Sequence, residues 1–296
     1  MTLDSDGLRR PPEHLSWSQV SVLDHTMPFG CARSWAIERI LGVPYEPSAA
    51  MRLGSAFDQA VNTLFIERAS RKGDLAAPLL LDDALEVLNR ELGIAFDALT
   101  DDEERRTLAA ASAMAAASLE QYAVLHANTP VLTTQREVGW WVDEIKVIGY
   151  IDRVDLGPTI TDLKVTGRSK KRRDGTWDEE QTLQWYWQLA FYAVALESEV
   201  LDSGQEFAWP VAAQVDQVVL RAGQAKPSID TWPCVIEEHA KATVQQMVRR
   251  AWSLARSGRY PANPGPKCGN CGVRDICRSI QAANEPDFAV AWARTR

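Results

Sequence analysis

The 296-residue chain has no apolar run long enough to cross a bilayer. Its blandest stretch, LAAASAMAAASL from Leu108, is alanine-rich and reads as a helix. The opening residues MTLDSDGLRRPPEH lack a hydrophobic centre, so the expectation is a loose tail over residues 1–15, no export signal and a cytoplasmic location. A surplus of positive charge is missing too. Lys and Arg number 32 against 40 Asp and Glu, for a net charge of −8, which argues against a protein that coats nucleic acid indiscriminately. No internal repeat or long low-complexity linker is present, which excludes a solenoid. Histidine is scarce, with four residues. Five cysteines without an export signal point to ligands or core residues before disulfides.

What is present changes character along the chain. Ser16 followed by Gln19 has capping-box spacing at a helix start. Helical periodicity runs through CARSWAIERIL, GSAFDQAVNTLFIERA, LDDALEVLNREL and DDEERRTLAAASAMAAASLEQYAVLH. Then VLTTQREVGWWV, EIKVIGYIDRVDL and TITDLKVT read as strands. A helix over EEQTLQWYWQLAFYAVALES, a strand over AAQVDQVVLR and a helix over VIEEHAKATVQQMVRRAWSLARSG follow. The expected class is α/β (α+β): a small central sheet flanked by helices, with a helical front section and a cysteine-rich end. The expected units are the tail 1–15, a helical section 16–130, a core 131–260 and a tail 261–296.

The chemistry gathers between Gly149 and Gly175. Asp162 and Lys164 are two apart on a strand, so both leave one face. Asp152 lies on the preceding strand. A two-residue turn at Gly157-Pro158 turns Asp152 to the wrong face. A connection that includes Thr159 sets Asp152 opposite Lys164, with Asp162 diagonal, and this register is the expected one because it assembles a site. Carboxylate oxygens with a nearby ammonium suit Mg²⁺ or Mn²⁺ and a phosphodiester. A plain solvated hairpin face is the bland alternative.

Directly after this strand come Arg168, Lys170, Lys171, Arg172 and Arg173, five basic residues in six positions. In an otherwise acidic chain they read as a contact for a phosphate backbone. Gln184, Gln188 and Tyr192 recur every four residues on one helix face. Trp185 and Trp187 flank it and Trp177 precedes it, as core residues or as stacking surfaces for bases. Near the end, Cys268, Cys271 and Cys277 have C-x2-C-x5-C spacing, which with a distant fourth thiolate suits zinc or an iron–sulfur cluster.

GYIDRVD resembles the G-x-x-D-R-x-D strand, TDLK the D-x-K strand and QLAFY the Q-x-x-x-Y helix of RecB-type nucleases in the PD-(D/E)xK superfamily. GSAFD is similar to their helical G-x-x-x-H motif, with Asp58 where the metal-binding histidine stands. The segment SWSQVSVLDHTMPFGCARSWAIERI resembles the one around the first cysteine of iron–sulfur members, among them AddB-type subunits and the CRISPR-associated exonuclease family.

The resemblance implies a nuclease core and a metal-dependent DNA exonuclease acting on single strands or duplex ends. Asp58, Asp152, Asp162 and the Leu163 carbonyl would hold Mg²⁺ or Mn²⁺. Lys164 would act on water and phosphate, with Gln188 and Tyr192 beside it. Glu137 is a water-mediated candidate, favoured as a plain surface carboxylate. Cys31, Cys268, Cys271 and Cys277 would hold a [4Fe–4S] cluster, with zinc the less favoured occupant, and Cys234 stands apart. Recombination, repair, phage DNA metabolism or CRISPR adaptation is the implied setting, with a helicase or recombination protein as partner. A DNA-end-binding scaffold of the same fold, weakened at Asp58, is the alternative.

Overall fold

The computed structural model describes residues 12–282, apart from 29, 44–45, 158, 203–206, 222–225, 266–267 and 270. Its strands are β1 (His14–Ser16), β2 (Val131–Val142), β3 (Ile145–Asp155), β4 (Thr159–Thr166), β5 (Val211–Val219) and β6 (Ser228–Ile236). Its helices are α1 (Trp17–Leu23), α2 (Ala32–Arg39), α3 (Ala49–Ser70), α4 (Leu81–Asp97), α5 (Asp102–Leu125), α6 (Glu179–Asp202), α7 (Ala240–Arg256) and α8 (Arg274–Ala282).

The sheet is mixed. β2–β3, β3–β4 and β5–β6 are antiparallel, whereas β4–β5 and β1–β3 are parallel. A parallel neighbour needs a crossover, and α6 supplies it between β4 and β5. Apolar side chains of α1, α2, α6 and α7, such as Trp17, Trp35, Phe191 and Met247, form one core with Trp140, Val147 and Ile151 of the sheet. The second core joins α3, α4 and α5, through Phe57, Phe65, Leu88 and Leu119, to Val131 and Val218. This is the mixed α/β class expected. By length and composition α5 is apolar enough to cross a membrane, yet here it turns Leu108, Ala111, Ala115 and Tyr122 into the second core.

Two strands depart from the sequence expectation. His14–Ser16, expected as the end of the loose tail and a helix N-cap, pairs with Lys146–Ile148 and buries Leu15 completely. β6 was missed, and its last residues were given to the following helix; Pro233 removes a ladder donor, which a strand tolerates at the edge of a sheet. The capping box at Ser16 is present, with its amide 2.9 Å from Gln19 Oε1.

The hairpin register also differs. Asp155 pairs with Thr159, Val154 with Ile160 and Arg153 with Thr161, so residues 156–158 make the connection and Thr159 is already in the strand. Gly157, at φ 97°, supplies the left-handed turn. Continuing the ladder sets Asp152 opposite Asp162, not Lys164. A shift of two residues preserves parity, so the carboxylates still share a face.

One edge of β3 pairs with β2 along its length. The other meets β1 at Lys146–Ile148 and β4 at Arg153–Asp155. Among the described residues no strand pairs this edge between 149 and 152. α6 fills the gap: a Cβ on Gly149 would sit 3.1 Å from the Tyr192 ring and 3.3 Å from that of Phe191.

Behind the split lies a buried polar network. Arg153 bonds Asp155 at 2.9 Å and the Tyr122 hydroxyl at 2.7 Å, and that hydroxyl donates to Asp216 at 2.8 Å. Thr231 donates to Asp216 at 2.8 Å, and His126 Nε2 lies 3.2 Å from it. These contacts tie α5 to β3, β5 and β6.

Candidate active site

Asp152, Asp162 and Lys164 come together in the split. Lys164 Nζ lies 2.6 Å from Asp162 Oδ2. Asp162 Oδ1 accepts from Gln188 Nε2 at 2.8 Å, and the same nitrogen donates to the Tyr192 hydroxyl at 3.0 Å. One helical turn of α6 therefore delivers both side chains, as the four-residue spacing requires. Asp152 Oδ2 accepts the Leu163 backbone N–H at 2.7 Å. Leu163 thus reaches the site through its amide, and no contact assigns its carbonyl. Gln184 is not part of this constellation; it accepts a hydrogen bond from Gln181.

Asp58 approaches from α3. Gln135 Nε2 donates to both of its oxygens, at 2.9 and 3.1 Å. Gln135 has no counterpart in the sequence motifs and went unnoticed there; its one signal was its place in the strand before Asp152. Asp58, Gln135, Asp152 and Leu163 line a cleft of about 10 Å³, roughly the space of one water. Glu137 points elsewhere, accepting from the exposed Tyr150 hydroxyl at 2.9 Å.

The electrostatics follow from crowding like charges in a half-dry site. Burial, then Asp162, raise the Asp58 carboxyl to about 6, against the pull of Lys164 and Gln135. Asp152 is raised well above the usual range by burial, Asp162 and Asp58. Burial also raises Asp162, with Lys164 opposing. For Lys164 burial favours the neutral amine, but Asp162 and Asp152 outweigh it and hold the ammonium. Tyr192 is pushed up by burial and by the same two carboxylates.

Three carboxylates against one lysine make a site short of positive charge. Asp162 Oδ2 is buried against the Lys164 ammonium, 2.6 Å away. Hard oxygen donors in this state fit Mg²⁺ or Mn²⁺. Among the described residues, however, no three His, Cys, Asp or Glu side chains are gathered at ligating distance, here or elsewhere.

The basic run forms a small hairpin. Lys171 bridges to Trp177, the Arg172 amide bonds Thr176, and Gly175, at φ 85°, turns the chain. Its base is held by Gln217, whose Oε1 accepts the Lys170 amide at 2.9 Å. Lys171 pairs with Asp230 at 3.1 Å, while Arg168, Arg172 and Arg173 are exposed. The tryptophans are packed: Trp185 is buried between Trp177 and Trp232, and Trp187 stacks edge-on with Tyr186.

At the far end Cys31, Cys268, Cys271 and Cys277 line one cavity of about 170 Å³. None of the five cysteines forms a disulfide. Burial raises the Cys271 thiol, and the three other thiols push the same way. Protein contacts cross the seam beside the cavity. Asn263 donates to the Gly30 carbonyl at 2.8 Å, the Arg33 amide reaches Pro261, and buried Asp24 is clasped by Arg250 at 2.7 Å. Cys234 lies outside this group, its thiol pushed by burial to about 12.

A sequence profile of the PD-(D/E)XK nuclease superfamily matches residues 15–278. Characterised proteins give no match. Among solved structures the chain is similar to a protein of Eubacterium rectale provisionally named an exonuclease. Identity is 16%, the TM-score is 0.49, and 89% of this chain and 88% of that one are covered. It is also similar to SSO0001, with 14% identity, a TM-score of 0.35 and coverage of 80% and 89%.

Proposed function

Because the chain belongs to the PD-(D/E)XK nuclease superfamily, we propose that it is a metal-dependent deoxyribonuclease of RecB type that degrades DNA from its ends. The observation that carries this reading is the convergence of Asp152, Asp162 and Lys164 in the β3–β4 split, with Gln188 and Tyr192 behind them. Asp58, Asp152 and Asp162 would hold Mg²⁺ or Mn²⁺, which would polarise the phosphate and lower the pKa of bound water.

The protein groups do the rest. Lys164 keeps its proton and neutralises charge that develops on the phosphate. Gln188 fixes the rotamer of Asp162, and Tyr192 fixes Gln188. Arg168, Arg172 and Arg173 contact the backbone of the strand entering the site, an interaction that weakens with salt. We also assign Cys31, Cys268, Cys271 and Cys277 a [4Fe–4S] cluster as architecture. The four thiols line one cavity, and zinc is the alternative occupant. The setting is DNA processing in repair, recombination, phage metabolism or CRISPR adaptation, beside a helicase or recombination protein.

The test is degradation of end-labelled single- and double-stranded DNA with Mg²⁺, Mn²⁺ or chelator. Metal-dependent loss of label that Asp162→Ala lowers by about 10³-fold or more is the expected result. Tight DNA binding without cleavage under every metal identifies a scaffold instead. Iron and acid-labile sulfide in anaerobic preparations separate the cluster from zinc.

A further inference from the structure

β2 leaves regular geometry at one residue. Thr134 pairs with Arg153 and Arg136 with Ile151, so Gln135 stands across from Asp152. Yet its backbone is left-handed, at φ 44°. Glutamine meets a steric cost in this region that glycine escapes. Such a conformation persists where the surroundings hold it, and it concentrates at functional sites. Here it aims the side-chain amide at Asp58, so that one nitrogen donates to both carboxylate oxygens.

The chemistry of the pair is specific. An amide donor orients a carboxylate without cancelling its charge, which a lysine or arginine there would do. Each Asp58 oxygen keeps a further lone pair, and the cleft it shares with Asp152 has room for about one water or ion.

We propose that Gln135 is a positioning residue: strained into β2, it fixes the Asp58 carboxylate beside Asp152 and thereby sets the affinity of the site for a divalent cation. The proposal rests on the reading of this site as one that binds Mg²⁺ or Mn²⁺. Partners that orient a metal ligand typically carry a 10- to 100-fold share of metal affinity.

The experiment measures Mn²⁺ binding by the loss of the free-ion EPR signal, without DNA, for wild type, Gln135→Gly, Asp58→Ala and the double variant. Unfolding in chelator is recorded for each. Glycine removes the amide and relieves the backbone, so Gln135→Gly should bind Mn²⁺ about 10-fold or more weakly while unfolding at an unchanged or higher temperature. In the Asp58→Ala background it should have no further effect on binding, because the amide then has nothing to orient. Wild-type affinity in Gln135→Gly overturns the proposal, and so does a loss that adds in full to that of Asp58→Ala. A lower unfolding temperature with unchanged affinity assigns Gln135 to structure only. Absence of Mn²⁺ binding by the wild type overturns the metal reading and this proposal with it.

Discussion

Asp152 and Arg153 are neighbours in β3, as Asp162 and Thr161 are in β4, yet the alternation of a strand sends them into two different societies of charge. Arg153 and Thr161 join the network of Tyr122, Asp155 and Asp216, where nearly every polar atom has a partner. Asp152 and Asp162 face Asp58 and one lysine, and all three carboxyls are raised by burial, Asp58 also by Asp162, and Asp152 also by Asp162 and Asp58. Asp162 is as buried as Asp216, so burial does not distinguish these two carboxylates. Satisfaction does. Asp216 shows the contrast: burial raises it, but His126, Arg153 and Thr231 overcome burial and hold it below the usual carboxylate range. A polar cluster that is complete in the protein belongs to architecture, and one left incomplete waits for something else.

Substitution should break this comparison in opposite directions. The largest effect is expected for Arg153→Ala, which strands Asp155 and Asp216 and should lower stability by about 3–5 kcal/mol in denaturant titrations. A loss below 1 kcal/mol would mean that the network is ornamental. Asp152→Asn should do the reverse, raising stability in chelator by about 1 kcal/mol while abolishing cleavage, since it removes repulsion kept for function. Destabilisation by Asp152→Asn would dissolve the distinction.

Acidity sharpens the same contrast. Asp58 is raised when folded, so ionising it costs stability, and that penalty appears as pH rises from about 4 through about 6. The stability of Asp58→Asn relative to wild type, in chelator, should therefore climb across this window and level off above it. Asp216 is depressed, so its contribution is present above the unfolded carboxylate pKa and is lost as pH falls through the folded one. Asp216→Asn should accordingly be most harmful at neutral pH and least in acid. Calorimetric scans at half-unit steps check both signs. The smallest effect on stability belongs to an exposed charge: Arg173→Ala should change it by less than about 0.5 kcal/mol. It should still lower the salt slope of DNA binding by about 1, as the loss of one phosphate contact requires.

Much of this was legible in the chain. D-x-K on one strand face and Gln188–Tyr192 on one helix face follow from periods of 2 and 3.6, and the structure brings all four together. The capping box at Ser16 was equally local. Illegible were the features set by distant partners. A three-residue strand such as β1 carries too little periodicity to be read, and its existence depends on Lys146–Ile148. β6 was hidden because Pro233 speaks against a strand everywhere but an edge, and edges are decided by topology. The hairpin register failed for a narrower reason: Leu156 and Thr159 could each have lain in the turn, and parity alone does not choose between them. Gln135 left no trace because its significance is a backbone angle and a neighbour 77 residues away.

The clasp between Asp24 and Arg250 joins residues 226 positions apart, and that between Gly30 and Asn263 spans 233. During synthesis neither contact can form until Arg250 and Asn263 have left the ribosome. The Cys31 segment therefore waits for its partners, whereas Leu15 can pair as soon as Lys146–Ile148 of the central hairpin emerge. The segment from Asp24 to Cys31 is thus made long before its partners, and until they arrive it is open to proteases and misassociation.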